Sequence, residues 1–219
     1  MDVHLGVSRS IVQVKPSAEL QQEIFQRDDY TCQCCGFRSE KYQEVLMRDG
    51  HSDNLSPENL VTTCFFCHQC FHLERVNAMG SGILIWMPEL RQSDLHHLAR
   101  SIYVARISQG VMAEMAKKTL EIIMHRREEV KRRLGTDDPH VLATVLGEYM
   151  TDATYAARHE KLDGVRLFPL DRRKIKEADL EFNQFPQILA YWRSPQGPFQ
   201  GYNPVEWLPR FKDVLLQAS

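Results

Sequence analysis

The sequence predicts an α+β protein in which a small zinc-binding module precedes a mainly α-helical remainder. Two observations carry this prediction. Two cysteine pairs with CxxC spacing, Cys32/Cys35 and Cys64/Cys67, are separated by 28 residues, an arrangement typical of a four-sulfur metal site. After residue 90, apolar residues recur at helical spacing between breaks at glycine and proline. We therefore expect a zinc module with its N-terminal lead-in over 1–90 and a helical region over 91–219, packed together as one unit.

Length, composition and charge exclude several classes of protein. The chain has 219 residues, 43% of them hydrophobic, enough for a packed core. Its net charge of −2 argues against a protein that coats nucleic acid through its charge. The N-terminus lacks the basic and apolar parts of a signal peptide, and no apolar run approaches the ~20 residues that span a bilayer. We expect a cytoplasmic protein that meets a membrane only through a partner.

The elements of the first region follow from local pattern. Residues 11–14 suggest a short strand in an extended lead-in. The segment 18–27 predicts a helix with Leu20 and Ile24 on one face. Between the cysteine pairs, 43–47 predicts a strand before a polar loop. Glycines at 80 and 82 break the chain before the apolar strand 83–87.

The second region predicts three helices and a terminal one. Ser93-Asp94 is a suitable N-cap for a helix with Leu95 and Ile102 on its apolar face. Beyond Gly110, apolar spacing predicts one helix from 112 to 134. Pro139 suits the first turn of a third helix, whose apolar positions continue to 157. The apolar positions predicted for this third helix are Leu142, Val145, Leu146, Tyr149, Ala153 and Ala157. After a loop rich in proline and glycine, a last helix is expected from 204 or 205 to 216.

The predicted metal ligands are Cys32, Cys35, Cys64 and Cys67, bound as thiolates to one zinc ion at ~2.3 Å. All six cysteines lie between residues 32 and 70, which favours a local metal site over dispersed disulfides. Cys35 is preferred to Cys34 because Gly36 follows it and gives the backbone the freedom of a knuckle turn. Cys67 and Cys70 also form a CxxC pair, so the entry of Cys34 or Cys70 into the shell stays open. Four thiolates leave no position for water, so this zinc is expected to be structural and not catalytic.

The run Tyr30-Thr31-Cys32-x2-Cys35-Gly36, followed by Asn59-Leu60-Val61-Thr62-Thr63-Cys64-x2-Cys67-His68, resembles the zinc-braced HNH endonuclease motif. The resemblance covers about residues 27–72 and implies a ββα module. If the chain were a nuclease, it would imply His51 as general base, Asp49 and His68 as ligands of a catalytic metal, and Asn59 as the residue that positions the base. Gly50 separates Asp49 from His51, whereas the family usually has these groups adjacent, and the loop before Asn59 is short. We therefore expect no catalysis and keep the metal-dependent nuclease as the alternative.

A second resemblance covers more of the chain. The segment 30–37, the segment 59–71 and the run Gly82-x-Leu84-Ile85-x-Met87-Pro88-Glu89-Leu90 are similar to the IcmJ/DotN family of type IVB secretion systems. This resemblance includes Cys70 and the Pro88-Glu89 pair after the predicted strand, neither of which the HNH motif explains. It implies a non-catalytic adaptor subunit of the cytosolic coupling complex. Its expected partners are the C-terminal extension of the membrane-anchored coupling ATPase and other subunits of that complex.

Overall fold

The computed structural model describes residues 1–8, 14–50, 54–177 and 179–207, and its fold is mixed α+β, as predicted. In chain order, the helices and strands of the first 90 residues are α1 (Ala18–Arg27), β1 (Gln43–Met47), β2 (Leu60–Cys64), α2 (Phe65–His68), α3 (Leu73–Met79) and β3 (Gly82–Trp86). The remaining elements are α4 (Gln92–Arg106), α5 (Val111–His125), α6 (Arg127–Leu134), α7 (Pro139–Glu148), α8 (Asp152–Ala156), α9 (Arg158–Lys161), β4 (Val165–Pro169), β5 (Lys174–Glu177), β6 (Leu180–Asn183) and α10 (Phe185–Arg193). Short 3-10 turns cover Gln69–Phe71 and Pro204–Glu206.

Helix α1 has the predicted bounds and anchors β2, the strand that ends at Cys64. The Ser17 hydroxyl accepts a hydrogen bond from Leu20 N at 3.2 Å and so caps the helix. Ile24, on the predicted apolar face, is only 1% exposed. Just beyond the helix, the Asp28 carboxylate accepts the Thr62 N–H at 2.8 Å, which ties α1 to β2.

Strands β1 and β2 form an antiparallel pair in which Gln43 opposes Cys64 and Met47 opposes Leu60. All five residues of β2 are buried, which explains why its sequence does not alternate between apolar and polar residues. Helix α2 follows immediately and has four residues. The order strand, strand, helix is the one predicted for the module. Because α2 has only one turn, the HNH-like fold remains a proposal.

Strands β3 and β4 pair antiparallel, with Gly82 opposite Pro169 and Trp86 opposite Val165. Strand β3 was predicted over 83–87, one residue later than its observed bounds at each end, whereas β4 was not predicted. Both faces of this sheet are buried, and alternate residues enter two different cores. The core that includes the cysteine pairs also contains Ile85, Phe168, Leu95, Ala99, Ile102, Tyr103, Phe185, Ile188 and Trp192. The other contains Leu84, Val165, Leu167, Leu5, Val7, Cys70, Leu73, Val76, Val130, Leu142, Ala143 and Leu146.

The outer edges of this sheet are hydrogen-bonded by other parts of the chain. On β3, Leu84 N donates to Asp137 O at 3.0 Å and Trp86 N donates to Arg126 O at 3.2 Å. On β4, the Gln92 side chain accepts from Leu167 N at 2.9 Å and donates to Leu167 O at 2.7 Å. The amide of Gln92 therefore imitates a third strand, which satisfies an edge that would otherwise be costly to bury.

Several predicted helices differ from the observed ones. The single helix expected over 112–134 is divided at Arg126, whose carbonyl bonds to β3. The third helix ends at Glu148, and two short helices follow it. The expected apolar face was wrong at Val145 and Tyr149, which are 44% and 77% exposed, whereas Leu142 and Leu146 are buried as expected. The remainder also contains the hairpin of β5 and β6, which was not predicted.

Two predictions fall largely outside the described residues. The possible strand over 11–14 includes residues 11–13, and the last helix includes 208–216; both groups lie outside the described ranges. Of that helix, the structure shows the 3-10 turn Pro204–Glu206. Among the described residues, no helix is long and apolar enough to cross a membrane.

Candidate metal centre

Backbone hydrogen bonds bring the two cysteine pairs together. In the first knuckle, Gly36 N donates to Cys32 O at 2.9 Å, and Gly36 has a φ of +73°, a conformation that favours glycine. Gln33 N donates to Thr62 O at 2.8 Å, which holds the first knuckle against β2. Cys64 ends β2 and caps α2, where its sulfur accepts a hydrogen bond from Cys67 N at 3.4 Å.

The sulfur atoms of Cys32, Cys35, Cys64 and Cys67 all lie within 4.8 Å of one another. The Sγ atoms of Cys35 and Cys64 are 3.7 Å apart. Four sulfurs at ~2.3 Å from a central ion in tetrahedral geometry would be separated by about 3.8 Å. All four cysteines are free and not paired as disulfides. This donor set therefore fits one tetrahedral metal ion.

The two competing cysteines have other environments. Cys34 is partly buried beside the cluster, and it is not one of the four mutually close sulfurs. Cys70 lies in the second core, is fully buried, and donates to Phe66 O at 3.4 Å. Burial raises the pKa of its thiol well above the ordinary value. The geometry thus favours Cys35 over Cys34 and places Cys70 outside the group of four.

Helix α4 supplies donors to the sulfurs, which sequence analysis did not predict. Arg100 is 1% exposed, and its NH2 group donates to Cys64 Sγ at 2.7 Å. His96 is fully buried, with Nδ1 at 3.2 Å from Cys67 Sγ. His97 Nε2 donates to the carbonyl of Cys35 at 2.7 Å.

The charges of this cluster affect each other. Although burial lowers it, the nearby thiolates of Cys64 and Cys35 raise the pKa of Arg100 above its ordinary value. Burial, followed by the charge of Arg100, holds the pKa of His96 well below its usual range. The cluster therefore combines a buried cation, a neutral imidazole and four sulfurs.

These donors were not predicted, because the apolar spacing alone indicates an ordinary amphipathic helix at the start of α4. The available signal was the presence of Gln92, His96 and Arg100, at intervals of four, on the same side as the apolar residues Leu95 and Ala99. Polar residues at such spacing on a buried face indicate a buried polar partner.

The nuclease positions are only partly brought together. His51, the expected base, lies outside the described residues. The Asn59 amide donates to Asp49 Oδ1 at 3.0 Å and to Asn54 O at 2.8 Å, and Asn59 Oδ1 accepts from Asp49 N at 3.0 Å. The Asn59 side chain therefore links Asp49 to Asn54, and both of its amide hydrogens are used in these contacts.

His68 lines a cleft and is close to another histidine. Its ring stacks on that of His72, with centroids 4.4 Å apart, and His72 Nδ1 is 3.3 Å from Glu74 Oε1. Burial, then the electrostatic influence of the neighbouring His72 and Arg75, lowers the pKa of His68 well below its ordinary value. Asp49 and His68 line the same cleft. Among the described residues, the four-cysteine cluster is the group of histidine, cysteine and acidic side chains whose geometry suits a metal ion.

Together, the fold and this centre define a mixed α+β protein with four cysteine sulfurs close enough to hold one metal ion. A comparison with protein-family profiles found no match. Among curated proteins, the chain is 35% identical over 164 residues to the type 4 apparatus protein DotN of Legionella pneumophila subsp. pneumophila. The similarity covers 72% of this chain and 74% of that protein. The chain belongs to the IcmJ/DotN family. The expectation of a non-enzymatic component agrees with the name of this relative.

Proposed function

We propose that the protein is a non-catalytic adaptor subunit of a type IVB secretion or conjugation coupling complex, braced by one structural zinc ion. It binds the C-terminal extension of the membrane-anchored coupling ATPase, together with other subunits of that complex. Membership of the DotN family supports the secretion role. The observation that carries the adaptor role is the closed set of four cysteine sulfurs. Such a site can stabilise the fold, but it leaves no coordination position for a substrate.

Zinc is the metal that this donor set favours. Four thiolates in tetrahedral arrangement are typical of structural zinc sites, and binding of such an ion contributes directly to folding. Iron also binds four thiolates. Metal analysis together with the visible spectrum distinguishes the two, because zinc has no d-electron absorption.

The surface charges support a role without nucleic acid. The sequence 125–133 is rich in arginine and lysine, but acidic neighbours pair with these side chains. Glu129 pairs with Arg132 and Arg133, both within 2.7 Å. Asp137 lies 2.7 Å from Arg127 and 3.6 Å from Lys131. A basic segment neutralised in this way has little charge left for a phosphate backbone.

The nuclease alternative has less support. A general base must be held within hydrogen-bond reach of its water, and the residue expected to hold it, Asn59, uses both amide hydrogens within its own loop.

We place the protein at the cytoplasmic face of the inner membrane, where it is held by the ATPase.

Calorimetric titration with the C-terminal segment of the coupling ATPase from the same genome tests this proposal. We expect saturable binding by the metal-loaded protein, unchanged by Asp49→Ala, a substitution at an exposed position of the nuclease motif. Plasmid cleavage with Mg²⁺, Mn²⁺ or Ni²⁺ is measured in parallel. Cleavage that disappears in His51→Ala, or absence of binding by folded protein, would contradict the adaptor function.

A further inference from the structure

One face of α4 lies directly against the cysteine sulfurs. Gln92, His96 and Arg100 occur at intervals of four residues and are 5%, 0% and 1% exposed. We propose that these three residues form a hydrogen-bonding support for the metal-bound thiolates. Arg100 and His96 donate to two of the sulfurs, and Gln92 holds the proton of His96 on the nitrogen that faces sulfur. This inference depends on the metal binding proposed above.

Arg100 acts as the counter-charge of the cluster. Its NH2 group is 2.7 Å from Cys64 Sγ and 3.7 Å from Cys35 Sγ. The guanidinium lies over the rings of Phe37 and Phe66, at 4.0 Å and 5.1 Å from their centroids. Its Nε and NH1 atoms have no hydrogen-bond partner among the described residues. The sulfurs and the two ring faces are therefore its main partners.

A buried guanidinium requires negative charge nearby, because an unpaired charge in the interior is costly. Neutral thiols would not supply that charge. Four thiolates around a divalent ion carry a net charge of −2, which Arg100 reduces to −1. The burial of Arg100 is thus explained if the cysteines bind metal as thiolates, and Arg100 in turn stabilises the loaded centre.

The Gln92 amide determines the tautomer of His96. Its oxygen accepts from Leu167 N and its nitrogen donates to Leu167 O, so the two ends of the amide cannot be exchanged. The remaining N–H of Gln92 faces His96 Nε2 at 2.9 Å. That ring nitrogen must therefore accept, and the proton of the neutral imidazole resides on Nδ1.

The Nδ1–H group of His96 then donates to Cys67 Sγ at 3.2 Å. A chain of hydrogen bonds thus runs from the backbone of β4 through Gln92 and His96 to the sulfur. Groups that orient and polarise metal ligands in this way typically change metal affinity by about 10–100-fold when they are removed. Hydrogen bonds to a thiolate also withdraw electron density and make the sulfur a weaker nucleophile.

The rate at which metal leaves the protein tests the support. The purified zinc-loaded full chain is mixed with a coloured chelator in excess, and release is recorded for the wild type, Arg100→Met, Arg100→Lys, His96→Leu and His96→Asn. We expect release about tenfold faster or more in Arg100→Met and His96→Leu. Arg100→Lys retains the charge and His96→Asn retains an N–H near the position of Nδ1, so both should be closer to the wild type.

Arg91→Met is the matched control, because Arg91 immediately precedes α4 but its side chain is 79% exposed and pairs with Asp94. Its release rate should equal that of the wild type. Equal rates in all folded variants would overturn the inference. If Arg100→Met or His96→Leu does not fold, Arg100→Gln and His96→Phe replace them, because the first removes the charge and the second keeps a ring without its N–H group. Both should release metal faster than Arg91→Met, and release at the control rate in both would contradict the support.

A spectroscopic measurement identifies the tautomer directly. Two-bond ¹⁵N–¹H correlations of His96 in the loaded protein should show a protonated Nδ1 and an unprotonated Nε2. The reverse pattern would overturn the role of Gln92. Metal content of the wild type separates the two proposals: a chain that binds no metal contradicts the proposed centre, whereas a loaded chain with unaffected variants contradicts only the support by α4.

Discussion

At the scale of single residues, neighbours of the same chemical type have different roles because their surroundings differ. Cys34 and Cys35 are adjacent, yet only Cys35 belongs to the four mutually close sulfurs. Sequence alone could predict this group since a CxxC turn is a local feature and Gly36 marks its register. The donors His96 and Arg100 could not be predicted, because their contacts with Cys67 and Cys64 depend on how α4 packs.

Substitution of single cysteines tests the assignment of ligands. Cys35→Ser should reduce the bound metal well below one ion per chain, because a serine oxygen is a poor replacement for a thiolate in a soft donor set. Cys34→Ser and Cys70→Ser should retain one ion, measured by mass spectrometry under native conditions. Loss of metal in Cys34→Ser with retention in Cys35→Ser would reverse the assignment.

Asp28 and Asp29 offer a second pair of neighbours with contrasting roles. The Asp28 carboxylate accepts from Thr62 N at 2.8 Å and from Arg27 Nε at 2.8 Å, whereas Asp29 pairs with Arg38 on the surface. Asp28→Asn places an amide against the guanidinium and should lower the free energy of unfolding by about 1–3 kcal/mol. Asp29→Asn should change it by less than about 1 kcal/mol. Urea unfolding at neutral pH measures both, and equal effects would contradict the clamp between α1 and β2.

At the scale of elements, the sequence predicts those whose cause is local. Helix α1 was predicted with its observed bounds because its apolar positions recur at helical spacing, and the structure adds the cap at Ser17. The break at Arg126 was not predicted, since it arises where the Arg126 carbonyl accepts from Trp86 N in β3. Strand β4 was missed for a similar reason: its partner β3 is distant in sequence, and nothing local separates a short apolar run from a helix segment.

The start of β4 depends on a glycine beneath Trp86. Gly164 has a φ of +85°, and a Cβ there would lie 2.5 Å from an atom of the Trp86 ring. Gly164→Ala should therefore lower the free energy of unfolding by about 2–5 kcal/mol, from backbone strain together with overpacking.

Gly135 is the matched control for this substitution. Its φ is +77°, but a Cβ would meet nothing within 4 Å. Gly135→Ala should cost about 1–2 kcal/mol, from strain alone. The difference between the two substitutions, measured by denaturant unfolding, isolates the contact with Trp86, and equal costs would show that Trp86 moves aside freely.

At the scale of the whole molecule, the two regions defined by sequence share one sheet and the surroundings of the four cysteine sulfurs. β3 lies before residue 90 and β4 after it, and the sheet they form separates two cores. The cysteines come from the first region, while His96 and Arg100 come from the second. Both arrangements favour folding as one cooperative unit.

The fragment 1–90 should therefore fail to fold, even with zinc present. It lacks β4, so β3 would lose its partner strand on one edge and the carbonyl groups of Arg126 and Asp137 on the other. It also lacks the cation that compensates the thiolates, whose net negative charge would then be buried among apolar side chains at high cost. The amide spectrum of the zinc-titrated fragment should be poorly dispersed, whereas that of the zinc-loaded full chain should be well dispersed. A fragment that binds one zinc ion and gives a dispersed spectrum would show that the cysteine module is an independent domain, with α4 an accessory to the metal centre and not a part of it.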